Sequence, residues 1–259
     1  MPKARCSPSH CIREQMASPH SSFKTPVNRD ATLWRYMDFN KYVSLLKTQS
    51  LYFSRADRVG DPFEGSVSQA TIERRKVTFR TAPAEQKGDH TEEIHLGIYA
   101  SLFQRMPGLT FLNCWHMNDG ESVAMWRLYS PSGMGVALKS TFAKLFDLTP
   151  SNVFVGKVQY GDYGQADIPD YTLFDPFVHK RRSFSHEDEA RAVIQYDYRS
   201  VDPAPLGEWV RVPLVDLIDA VRVSPSAPNW YLEIVQDVTK LYGFSKEVRR
   251  SEIDSTVLF

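Results

Sequence analysis

The chain has 259 residues, 42% hydrophobic and 12% aromatic, enough apolar surface for a sizeable core and too much for a disordered or fibrous protein. Lys plus Arg and Asp plus Glu stand at 31 each, so no net field draws the protein to nucleic acid or to an anionic membrane; a polyanionic partner would have to be met by a local patch. The three cysteines cannot make a disulfide framework, no apolar run approaches a membrane span, and no signal-peptide core opens the chain, which together suggest a cytoplasmic protein.

Residues 1–30 are rich in Ser, Pro and basic side chains and carry no hydrophobic period, so they read as a disordered leader ahead of a single domain over 31–259. Cys6, His10, Cys11 and His20 lie in that leader at spacings that match no zinc pattern. Leu33 to Met37 predicts a strand, and Asp38 is placed to cap a helix with Phe39, Tyr42, Val43, Leu45 and Leu46 on its apolar face. SLYFSRAD predicts a second strand, followed by GDPFEG, a turn in which Pro62 bars helix at Asp61.

Two helical segments are expected between 66 and 106, split by the polar TAPAEQKGDH loop. TFLNCWHM then reads as a strand, Asn118 or Asp119 as the cap of the helix ESVAMWRLYS, MGVALKS as a strand and STFAKLF as a short helix. NVFVGKVQYGDY predicts one longer strand, and HEDEARAVIQY another, with Glu187, Glu189 and Arg191 on one side. The tail alternates GEWVRVP, the short helix LVDLIDA, VRVSPS, a helix NWYLEIVQDVTKLY stopped by Gly243, and strand-like FSKEVRRSEI. Short strands close in sequence predict an α+β fold with a mixed, largely antiparallel or split sheet flanked by helices.

Two carboxylates on neighbouring positions of one strand face repel, so Glu187 and Glu189 require solvent, a cationic partner or a chemical task. The same stretch read as a helix would make Glu187 and Arg191 a solvated i,i+4 pair. Cys114 and His116 share a strand face in the manner of a thiol and a base, but no acid stands ready to orient the imidazole.

LWRY, LYFSRADRVGDPFEG, NCWHMNDGESVAMWRLYS with GMGVALKS, and KRRSFSHEDEARAV together resemble an uncharacterised bacterial family, domain-of-unknown-function family 2971, over residues 33–195. More distantly, a first-strand Arg, a helix and short strand, an aromatic-lined strand and helix, and a late E-x-E are similar to the ADP-ribosyltransferase superfamily. That resemblance implies NAD as substrate, with Arg35 holding it beside Tyr36, and Glu187 and Glu189 as the catalytic acids. Ser54, Trp115, Trp126 and Tyr129 are the candidates it leaves for the nicotinamide side. It implies no resident metal and an acceptor that is a protein or a nucleic acid. Two other functions compete. One is a metal-dependent nuclease using Asp61, Glu64, Glu187 and Glu189 with Lys180 as the phosphate-side cation; the other is a non-catalytic binding or sensor module whose recognition surface is LYFSRADRVGDPFEG with the basic cluster Lys180, Arg181 and Arg182.

Overall fold

Asp38 both ends the first strand, β1 (Thr32–Asp38), and starts the first helix, α1 (Phe39–Thr48): its carboxylate accepts from the Lys41 N–H at 2.8 Å, as expected of this cap. Gln49 then takes a left-handed conformation at φ 51, turning the chain into β2 (Ser50–Arg55). The helices α2 (Gln69–Thr81), α3 (Ala84–Lys87) and α4 (Glu92–Arg105) follow, with α3 forming a single turn inside the expected loop. After β3 (Thr110–Met117), α5 (Val123–Tyr129) is capped by Ser122, whose hydroxyl accepts from the Met125 N–H, and not by Asn118 or Asp119, which lie in the loop before it.

The computed structural model describes residue 17, residues 19–199 and residues 204–254. Its remaining elements are β4 (Gly135–Thr141), α6 (Phe142–Leu148), β5 (Phe154–Lys157), β6 (Gln159–Gly161), β7 (His179–Arg181), β8 (Glu189–Gln195), β9 (Gly207–Arg211), α7 (Leu214–Leu217), β10 (Ala220–Val223), α8 (Asn229–Leu241) and β11 (Val248–Arg250). The result is a mixed α+β domain, as the spacing of the short strands predicts. The long strand expected over 152–163 is instead two, β5 in the main sheet and β6 paired with β7, because at Val158 the backbone switches partners: its N–H donates to Glu189 while the Gln159 N–H donates to Val178.

The main sheet is split, and that split positions the site. β1 lies along β4 for seven residues but pairs with β3 at two positions only, Leu33 with Met117 and Trp34 with His116. β2 reaches the same edge of β3 at its other end, through Ser54 and Arg55, and otherwise pairs with β9. On its far edge β3 is held by β8 along its length, from Thr110–Gln195 to His116–Glu189. β1 and β2 therefore diverge over the middle of β3, and the space between them is open to side chains from both halves of the sheet.

Order reaches further toward the N-terminus than the leader expected over 1–30, whose first sixteen residues, with Cys6, His10 and Cys11, lie outside the described residues. Phe23 packs with His20, Phe154 and Phe174, and Lys24 bridges to Lys157 across Gly156, where a β-carbon would stand 2.8 Å from Phe23 Cα. One buried aromatic thus holds a segment whose mean composition is polar. Among the described residues no helix is long and apolar enough to cross a membrane.

Candidate active site

The gap between β1 and β2 is a cavity of about 480 Å³, within the ~300–1,000 Å³ range of small-molecule sites. Seven of the eight sequence-derived candidates line it: Arg35, Tyr36, Ser54, Trp115, Tyr129, Glu187 and Glu189. The eighth, Trp126, does not. It is 3% exposed in a satellite core with Trp34, Tyr36 and Met125, its indole N–H donating to Glu121 at 3.0 Å, so it braces the Tyr36 ring from behind at 4.9 Å. A seven-residue helix offers few positions toward any cavity, and here Met125 and Tyr129 take them.

Arg35 projects from β1 where that strand leaves β3. Its Nη2 donates to the Tyr52 carbonyl across the split at 3.2 Å, an oxygen that also accepts from Asn113 Nδ2, and its guanidinium lies 5.8 Å from the Trp115 ring. No carboxylate pairs with it among the described residues, and its Nη1 is buried with no hydrogen-bond partner. Burial lowers its pKa to about 10, so it is still a cation at neutral pH. A charged planar donor set with its buried Nη1 unused calls for an anionic or carbonyl ligand.

The two acids meet, but not on one strand. Glu187 ends a 3-10 turn (Arg182–Glu187), Asp188 is left-handed at φ 32, and β8 begins at Glu189. Alternating charge had predicted an extended segment; the tight turn wins because Asp tolerates the left-handed region and Lys180 stands ready between the acids. Lys180 Nζ donates to Glu187 Oε2 at 2.5 Å and to Glu189 Oε1 at 2.8 Å. Glu189 Oε2 accepts from Arg191 Nε, and the Glu189 N–H donates to Tyr160 Oη. Glu189 lines the cavity although it is only 4% exposed.

Burial alone would raise both carboxyls. At Glu189 the Arg191 charge, the Glu187 hydrogen bond and Lys180 outweigh it and hold the group well below the usual carboxylate range. At Glu187 burial, reinforced by the hydrogen bond to Glu189 and its charge, pushes the pKa up to about 7. The environments thus separate the pair into a fixed anion and a group that changes its proton near neutrality.

Behind Glu189, Arg191 Nη1 and Nη2 hold both oxygens of Glu64 from the DPFEG turn, and Nη1 also donates to the Phe177 carbonyl. Burial leaves the Glu64 carboxyl above its usual range despite Arg191, yet a two-point fork is the geometry of an ionised carboxylate. Asp61 accepts from Arg181 at 2.8 Å. Asp61 and Glu64, the acids the nuclease alternative assigns to a metal, are each paired with an arginine, and among the described residues no group of three or more His, Cys, Asp or Glu side chains could hold a metal ion. The basic cluster is likewise divided: Lys180 and Arg181 are spent on these acids.

Cys114 and His116 also line the cavity. Burial, followed by the Glu189 charge, pushes the Cys114 thiol far up, so it is held protonated and poorly nucleophilic. His116 is bonded through Nδ1 to the Glu187 carbonyl at 2.6 Å, not to the thiol. Tyr52 and Trp209, tilted against each other at 4.8 Å and partly exposed, also line the cavity; neither carries a sequence signal beyond being aromatic.

No protein-family model matches the chain, and no curated protein matches it. Among solved structures, the chain is similar to Thermus sp. 2.9 DarT in complex with ADP-ribosylated ssDNA, at 12% identity and a TM-score of 0.40, over 89% of this chain and 98% of that chain.

Proposed function

We propose that the protein is an ADP-ribosyltransferase-like enzyme that cleaves the nicotinamide glycosidic bond of NAD and passes ADP-ribose to a protein or nucleic-acid acceptor. The observation that supports this most is the convergence on one cavity of an unpaired buried guanidinium N–H (Arg35), an aromatic wall (Trp115, Tyr129) and two carboxylates in different protonation states (Glu187, Glu189). NAD presents a matching set: a pyrophosphate for the cation, a flat nicotinamide for the rings, and a ribose whose C1′ becomes positive as the bond breaks.

Cleavage of the C1′–N bond leaves its electron pair on nicotinamide and an oxocarbenium-like ribose. Glu189, ionised and fixed between Lys180 and Arg191, accepts from the 2′-hydroxyl and stabilises the positive charge as it grows. The acceptor then attacks C1′ through an O–H or N–H group, and Glu187 takes the released proton, a task suited to a carboxyl whose pKa lies near 7. Arg35 holds the diphosphate, with Tyr36 and Ser54 completing the wall on either side of the split.

Purified protein incubated with NAD should release nicotinamide, and Glu189→Gln should lower the rate by a factor of about 100 or more while leaving the fold intact. NAD binding without turnover would support a sensor module; turnover indifferent to Glu189→Gln would remove the mechanism.

A further inference from the structure

His116 has an unusual pair of ring nitrogens. Nδ1 lies 2.6 Å from the Glu187 carbonyl, which can only accept, so Nδ1 carries the hydrogen. In the neutral ring Nε2 then holds a lone pair, and Nε2 is buried in the cavity wall with no partner among the described residues. A buried acceptor of this kind is costly unless a ligand donates to it.

Its position narrows what that donor can be. His116 and Glu189 are direct cross-strand partners between β3 and β8. Such partners share a sheet face, with β-carbons ~4.5–5.5 Å apart. Two acceptors so placed fit two adjacent hydroxyls, each donating over ~2.7–2.8 Å. Of the other polar side chains in this part of the wall, Tyr36 Oη accepts from the Ser122 N–H, Cys114 is a protonated thiol and Tyr129 lies near Glu187 and Glu189; none of them is bonded to Nε2.

We infer that His116 is a specificity-determining residue that accepts from the 3′-hydroxyl of the nicotinamide-side ribose while Glu189 accepts from the 2′-hydroxyl, so that the site selects dinucleotides with an intact vicinal diol beside the bond that breaks. This rests on the NAD reading above. It adds a residue that sequence offered only as a partner for Cys114, and it makes the turn at Glu187 part of substrate selection, since the Glu187 carbonyl fixes which nitrogen of His116 faces the ribose.

The test compares NAD with its analogue lacking the 3′-hydroxyl on the nicotinamide ribose, in wild type and in His116→Asn. Asn keeps an N–H near the position of Nδ1, and so the bond to the Glu187 carbonyl, but removes the Nε2 acceptor. Two quantities are read: kcat/KM for nicotinamide release, and calorimetric dissociation constants for the non-cleavable carbocyclic counterparts of both compounds. Wild type should prefer the full diol by about 10- to 100-fold in both, and His116→Asn should bring both ratios near unity. Wild-type turnover with equal discrimination in His116→Asn would overturn this inference and leave the NAD reading standing; a wild type that neither binds nor cleaves NAD would overturn both.

Discussion

Arg191 grips both carboxylate oxygens of Glu64, at 2.6 and 3.0 Å, with each side chain only 1% exposed, although 127 residues separate them in the chain. The same guanidinium turns its Nε to Glu189, so one buried cation ties the DPFEG turn to the cavity acid. Removing either partner strands a charge in the core. Arg191→Met or Glu64→Leu should each cost about 3–5 kcal/mol in urea unfolding, and the Glu64→Leu/Arg191→Met double variant should cost clearly less than the sum of these two single changes. Additive losses would show that the pair is not coupled.

Glu187 sets the expected pH dependence. Its folded pKa of about 7 lies above the ordinary carboxyl value of 4.5, so the folded state binds the extra proton between the two. Its contribution to stability is complete below about pH 4.5 and is lost as pH rises through about 7. The proposed general-base role runs the other way: transfer to the acceptor should rise as pH passes about 7, and Glu187→Gln should abolish that limb in a pH–rate profile. An unchanged limb in Glu187→Gln would assign it to another group.

Lys180 lies between the acids and favours their ionised forms. Lys180→Met should therefore shift the acidic limb to higher pH, and Lys180→Arg should bring it back toward the wild-type position, measured in the same profile. A limb that stays in place in Lys180→Met would separate this cation from the titration.

Gly65 closes the DPFEG turn at φ 75, and a β-carbon there would stand 2.4 Å from the buried Phe177 ring. Gly65→Ala combines a left-handed penalty with overpacking and should lose about 2–4 kcal/mol in thermal or chemical unfolding. A near-neutral change would mean that Phe177 can step aside.

The local grammar of the chain was legible where neighbours decide the outcome. The Asp38 cap, the strand TFLNCWHM and the short-strand α+β pattern follow from side-chain spacing and are found in the fold. The alternation in HEDEA suggested one strand, and nothing local reveals the left-handed Asp188, because its turn is held from a distance by Lys180 and the Met117 N–H. Residues facing the split in the sheet could be nominated by type but not oriented, as Trp126 shows by turning to the far side of Tyr36. His116 was visible only as a possible partner for Cys114; its true partner is a backbone carbonyl 71 residues away. The packing at Phe23 has no compositional signal, because one aromatic in a polar stretch leaves the average composition unchanged.

In the proposed NAD reading, Arg35 presents its unpartnered Nη1 to a dinucleotide in the cavity between β1 and β2. Calorimetric titration with carba-NAD, a non-cleavable analogue, tests it directly in wild type and in Arg35→Met. Saturable one-to-one binding, weakened by about 10-fold or more in Arg35→Met at an unchanged unfolding midpoint, is the predicted result. No binding to wild type, or equal affinity in the two proteins, would contradict it.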